Sequence, residues 1–132
     1  MRRSLLIAAQ ITMLGVVWPL SVRAADAVAG QTAFKSQCSS CHSPLDGKNM
    51  LGPSLFGLIG RKSGSVAGFR YSAAYKAAEI TWNADILDKY LTSPGDVVPG
   101  TSVMMENSYH QSPLLKDAAK RADLIAYLET LH

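Results

Sequence analysis

The two cysteines of this 132-residue chain stand at positions 38 and 41, within "KSQCSSCHSP", and His42 follows the second one directly. Two thiols and an imidazole in five positions offer redox chemistry, metal ligation or covalent attachment. A disulfide suits an exported protein. A thioredoxin-like redox pair expects a βαβ pattern nearby, and none is visible. Structural zinc takes four ligands from two separated pairs; beyond His42 only His110 and His132 remain to complete a set, at the wrong spacing. What is left is C-x-x-C-H as the covalent attachment point of a c-type haem. One helical turn lets both thiols reach the two vinyl groups, while His42 projects to the iron from the same side.

The compartment bears on that choice. Arg2 and Arg3 precede the apolar run "SLLIAAQITMLGVVWPL", and "VRAA", residues 22–25, supplies the small residues a signal peptidase needs. The pattern predicts a secretory signal over residues 1–25 that is cleaved, leaving one domain over residues 26–132, periplasmic or otherwise outside the cytoplasm. The alternative is an uncleaved anchor, and the run is near the lower limit of about 17 residues for a spanning helix. The flanking consensus of a twin-arginine signal is absent. Losing Arg2, Arg3 and Arg23 leaves ten basic residues against ten acidic ones, so the formal charge of +3 disappears. Such a balance argues against a nucleic-acid partner. A chain this short has a thin core and needs a staple, which a bound haem provides.

Helices must position the motif, because strand signals are sparse. "DAVAGQTAFKSQCSSCH" places Val28, Ala33 and Phe34 at helical spacing behind Asp26, a candidate N-cap. Between Pro44 and Ser72 lie glycines 47, 52, 57, 60, 64 and 68, too many breakers for a long regular element. That stretch is read as loop wrapped around something. "SAAYKAAEI" predicts a short helix capped by Ser72, and "NADILDKYLTSP" a second one from Asn83 that ends before Pro94. "SPLLKDAAKRADLIAYLETLH" reads as one long amphipathic helix, with Leu114, Ala118, Ala122, Ile125 and Leu128 near one stripe and Leu124 and Tyr127 beside it.

With these blocks in view the chain resembles the class I cytochromes c, of the short soluble type shared by mitochondria and many bacteria. The resemblance spans essentially all of residues 26–132. "GQTAFKSQCSSCH" is similar to the family's N-terminal helix, "LGPSLFGLIGRKSGSVAGFRYS" to its central loop, and "TWNADILDKYLTSP" and "RADLIAYL" to two further blocks. It implies a small all-α fold around one covalent haem c, with Cys38 and Cys41 holding the haem and His42 as the proximal iron ligand. The Pro53 carbonyl is then expected to accept the other ring N–H of His42, a contact that raises ligand basicity. Tyr71 and Trp82 are expected to donate to the haem propionates, with Arg61 placing positive charge beside them; core packing is an equal role for the Trp82 indole. Tyr90 is expected against the haem near the distal ligand, and Gly30, Phe34, Leu124 and Tyr127 at the contact between the terminal helices.

The distal side departs from the family pattern. The family carries Met one residue after "PGT", and here "PGTSVMMENSYH" puts Val103 at that place. A one-residue insertion restores the ligand as Met104; Met105 is second choice and His110 third. Adjacent side chains in extended backbone point to opposite faces, so at most one methionine of the pair faces iron. The stretch from Glu106 to Lys116 is longer than the family's usual link. Two protein ligands leave no position for a substrate, and sulfur ligation favours the reduced iron. The expectation is a monomeric electron carrier, not an enzyme, without stable membrane insertion after cleavage. Its partners would be redox proteins of a respiratory chain or a dehydrogenase, met through a small transient interface. Lys35, Lys48, Lys62, Lys89 and Lys116 are candidates to ring the exposed haem edge, or simply a solvated face. Two rivals remain: a five-coordinate haem acting as gas sensor or weak peroxidase, and a dedicated relay subunit of a dehydrogenase complex.

Overall fold

The structure, a computed structural model, describes residues 23–101 and 112–132. The described segments form six helices: α1 Ala27–Gln37, α2 Ala73–Ala77, α3 Ala84–Thr92, α4 Pro94–Val97, α5 Pro113–Lys116 and α6 Ala118–Glu129. The only extended pairing among the described residues is a single antiparallel bridge between Lys62 and Thr81. This is the small all-α architecture expected from the breaker-rich middle and the periodic ends.

Helix α1 starts where the sequence places it. The Asp26 carboxylate accepts the N–H groups of Val28 at 2.8 Å and Ala29 at 3.2 Å, satisfying two donors that the first turn leaves without carbonyls. Its face of Gly30, Ala33 and Phe34 is buried against α6. Gly30 is required at the crossing: a Cβ there would lie 1.9 Å from the Asp123 carbonyl oxygen. The close approach brings the Phe34 and Tyr127 rings to 5.4 Å, tilted by 55°, with Leu124 fully buried beside them. Tilted pairs of this kind add to the burial of the rings.

The C-terminal segment departs from the single long helix expected. It breaks at Asp117, whose backbone is extended and whose carboxylate caps Ala119 and Lys120 at 2.9 and 3.3 Å. A side chain able to bond the backbone ahead of it favours such a restart over continuation. The buried face differs as well: Arg121, Asp123, Leu124, Ile125, Tyr127 and Leu128 are buried, whereas Ala118 is exposed and Ala122 only half-buried. Arg121 is buried with partners for two of its nitrogens, donating to Asp88 at 2.7 Å and to the Leu115 carbonyl at 2.9 Å, which ties α3, α5 and α6 together. Ser112 links the same region to α1 by donating to Gln37 at 2.8 Å.

The middle helices follow their caps, with one correction. The Asn83 side-chain oxygen Oδ1 accepts Ile86 N–H at 2.8 Å, and α3 buries Leu87, Tyr90 and Leu91, spaced three and four residues apart. Ser72 precedes α2 but makes no side-chain capping bond. Helix α3 ends before Pro94 as expected, and Pro94 then opens the one-turn α4, where its missing N–H costs nothing.

Candidate functional site

The attachment motif lies at the end of α1. Cys38 caps the helix, and the N–H groups of Cys41 and His42 bond the Cys38 carbonyl at 3.0 and 2.9 Å, so one tight turn holds the three side chains together. Both cysteines are free and half-buried, with no disulfide between them. Burial pushes the Cys38 thiol up to about 11. A thioredoxin-like site needs the opposite shift, toward thiolate. Among the described residues no three His, Cys, Asp or Glu side chains converge as a metal cage.

His42 is held by the loop that follows it. Its Nδ1 donates to the Pro53 carbonyl at 2.8 Å, the contact expected from the resemblance. A carbonyl can only accept, so the proton sits on Nδ1 and the Nε2 lone pair is left for a ligand. Burial lowers the His42 pKa more than the Pro53 bond raises it, with nearby Arg61 acting in the same direction as burial. The neutral ring is the form that binds a metal. Gly52 makes this position accessible: a Cβ there would lie 2.2 Å from Cε1, 2.6 Å from Nδ1 and 2.7 Å from Nε2 of the ring.

The accepting carbonyl is itself pinned on both sides. Gly52 N–H bonds the Cys41 carbonyl at 2.8 Å, and Ser54 N–H bonds the Asn49 side chain at 3.0 Å. Asn49 also donates to the Ala67 carbonyl at 3.0 Å, joining the two halves of the glycine-rich segment. Arg61 completes the clamp, donating to the carbonyls of Phe56 at 2.7 Å and Ser54 at 2.9 Å. Its guanidinium is therefore a loop staple as well as a positive charge, a role the sequence did not announce.

The expected propionate donors fall on a connected aromatic run. Tyr71 is half-buried between Phe69, at 4.8 Å and edge-on, and Tyr75 at 6.2 Å, and burial raises its pKa. Trp82 is buried with its ring edge-on to Tyr90 at 5.1 Å, so the core-packing role is met. No described residue accepts its indole N–H, and among the described residues no buried polar side-chain atom is left without a partner, so this donor is not sealed inside the protein. Its backbone pairs with that of Gly60 and Arg61 at 2.8 and 2.9 Å, which places Arg61 alongside. Tyr90, buried on α3, hydrogen-bonds the Tyr75 hydroxyl at 2.5 Å, and Tyr75 in turn bonds Thr101 at 2.9 Å. Tyr75, Thr101, Asn49 and Gly52 were missed by sequence reasoning. Of these only Gly52, in "LGP", carried a signal. Met104, Met105 and His110 lie outside the described residues.

The residues present fit a covalently held haem: two unpaired thiols and a neutral imidazole on one turn, a glycine that clears the ring, and an indole N–H with no acceptor among the described residues. The profile of the cytochrome c family matches residues 27–132. The chain belongs to the cytochrome c family. Cytochrome c2 of Rhodopila globiformis is 44% identical over 106 residues, covering 80% of this chain and 93% of that protein. Cytochrome c of Guizotia abyssinica is 43% identical over 107 residues, 80% of this chain and 90% of the relative. The c-type cytochrome cy of Rhodobacter capsulatus is 45% identical over 106 residues, and the match spans 49% of its length. Membership brings the covalent haem c with its iron and an electron-transfer function. Among the described residues no helix is long and apolar enough to cross a membrane.

Proposed function

We propose that this family member is a one-electron shuttle of the exported compartment, in which Cys38 and Cys41 would hold haem c and His42 and Met104 would ligate its iron. The observation that carries the reading is the His42 Nδ1 to Pro53 bond of 2.8 Å beside two unpaired thiols on the same turn. When bound, the haem supplies an iron that changes oxidation state by one electron, with a potential set by its ligands and their surroundings. The chain's own residues do the rest. His42 offers Nε2 in a fixed orientation, because its other nitrogen is committed to a carbonyl that Asn49 and Arg61 immobilise through its neighbour Ser54. Trp82 offers its indole N–H to an acid group of the cofactor, with Arg61 adjacent, and the Tyr90–Tyr75–Thr101 chain braces the start of the segment that holds Met104.

Residues 1–25 are read as a cleaved signal and residues 26–132 as the mature domain, delivered to the periplasm. The partners are redox proteins, a membrane cytochrome complex, an oxidase or a dehydrogenase, met transiently by a monomer. Lys35, Lys48, Lys62, Lys89 and Lys116 are exposed and available to such encounters. Acid extraction of the denatured protein tests attachment: haem should stay on the polypeptide, and its release would sink the proposal. Ready binding of carbon monoxide to the reduced wild-type protein would replace the carrier with a sensor or peroxidase.

A further inference from the structure

Asp123, in the first half of α6, is a carboxylate with 8% of its side chain exposed, and it lies at the joint with α1. Two groups satisfy it. The backbone N–H of Asp26 donates to Oδ1 at 2.8 Å, and the Arg23 guanidinium donates to Oδ1 at 3.2 Å and to Oδ2 at 3.0 Å. Both partners come from the few residues that flank the proposed cleavage point. Their approach follows from Gly30, one turn further along α1, where the α1 backbone meets the Asp123 carbonyl and leaves no room for a Cβ.

Cleavage at "VRAA" removes Arg23, the only side-chain cation among the described residues that bonds this carboxylate. It also creates a new cation in the same place, since every cut polypeptide begins with an ammonium group. We propose that the α-ammonium of the processed chain, at Ala25 or Asp26, pairs with Asp123 and takes over from Arg23. If the chain starts at Asp26, the atom already 2.8 Å from Oδ1 becomes the ammonium nitrogen, and a neutral hydrogen bond becomes a charge-assisted one. If it starts at Ala25, the Asp26 bond to Oδ1 is kept and the ammonium, one residue before it, takes the side of Asp123 that Arg23 has left.

The surroundings favour a cation there. Asp26 is on the same segment, Asp85 and Asp88 belong to α3, and Asp123 and Glu129 to α6. Of the basic groups nearby, Arg121 is spent on Asp88, and Lys120, which lines a cavity of the α1–α6 seam together with Asp123, is exposed and forms no ion pair with it among the described residues. An ammonium at the start of α1 opposes the helix macrodipole, and Asp123 is the carboxylate that offsets it. Precursor and mature chain thus present the same charge to one buried acid, and removal of the leader leaves the terminal-helix joint intact.

The inference rests on the processing reading, and the test separates the two. The full chain is produced with its leader, exported and loaded with haem; the intact mass of the purified protein gives its first residue. The α-amine is then titrated by the pH dependence of its acylation, or by NMR after isotopic reductive methylation, in wild type and in Asp123→Asn. An unperturbed α-amine titrates at about 7.7–8.0. The expected result is a titration about one unit higher in wild type, leaving about tenfold less reactive free amine at neutral pH, and an ordinary value in Asp123→Asn. Should Asp123→Asn fail to accumulate, native and guanidinium-unfolded wild type are compared, and the amine should become more reactive on unfolding. A processed chain whose amine titrates normally and ignores both changes overturns the inference alone. A chain still carrying Arg23 overturns the processing reading and the inference with it.

Discussion

Replacing Gly52 by alanine adds one methyl group at the place where the His42 ring passes closest to the backbone. The new carbon would sit 2.2 Å from Cε1 and 2.6 Å from Nδ1, against about 3.5–4.0 Å for unstrained carbon contacts. Something must yield by more than about 1 Å. The ring cannot rotate away and keep the 2.8 Å bond from Nδ1 to Pro53. The loop cannot retreat easily either, because Gly52 N–H is bonded to the Cys41 carbonyl and Ser54 to Asn49 and Arg61. Overpacking of this kind costs about 1–3 kcal/mol, and loss of the hydrogen bond about 0.5–1.5 kcal/mol. Gly52→Ala is therefore expected to destabilise the haem-loaded protein by about 2–4 kcal/mol in guanidinium unfolding. The same change should raise the reduction potential, since an imidazole that no longer donates to a carbonyl is a weaker base and supports oxidised iron less well. Redox titration reads that shift. Wild-type stability together with an unchanged potential would show that the loop does not hold the histidine in the way described.

Three further outcomes are expected. Phe34→Ala removes a ring buried against Tyr127 and should cost about 3–5 kcal/mol; a loss of a few tenths would mean that the terminal helices do not depend on this contact. Tyr75→Phe deletes the hydroxyl that bonds both Tyr90 and Thr101 and should lower the unfolding free energy by about 1–2 kcal/mol, with no loss if that hydroxyl is redundant. Met104→Ala should abolish the weak red charge-transfer band of a sulfur–iron bond, lower the potential and admit carbon monoxide. Met105→Ala should change little, and reversed results would assign the ligand to Met105.

Local chemistry was legible without coordinates. Five consecutive positions, Cys38 to His42, define the attachment turn because the backbone bonds that bring the three side chains together, from Cys41 and His42 to the Cys38 carbonyl, are local. Asp26 was readable as a cap for the same reason: its carboxylate bonds N–H groups two and three residues ahead. Phe34 and Tyr127 could be paired from sequence once the terminal helices were recognised through the family's blocks, since helical spacing fixes which face each residue occupies.

Where the sequence went astray, the cause lay outside hydropathy periodicity, in a local cap or in contacts distant along the chain. The long C-terminal helix was a periodicity reading, and periodicity is blind to Asp117 capping a new start instead of lying on a continuous face. Arg121 and Asp123 look like surface residues in any hydropathy pattern. They are buried because Asp88, Leu115, Asp26 and Arg23 come from elsewhere to satisfy them. Arg61 was readable as a charge but not as a clamp on the Ser54 and Phe56 carbonyls.

The sequence by itself determined the cofactor chemistry, the family and the helical ends, since these reside in short-range spacing and in side chains that act on their own backbone. Only the tertiary structure decided how the histidine is oriented, which glycines are obligatory, and how a buried aspartate meets the N-terminal segment. Those features arise when the 44–72 loop and α6 fold back onto α1, and no local pattern encodes the distance at which two remote segments come to rest.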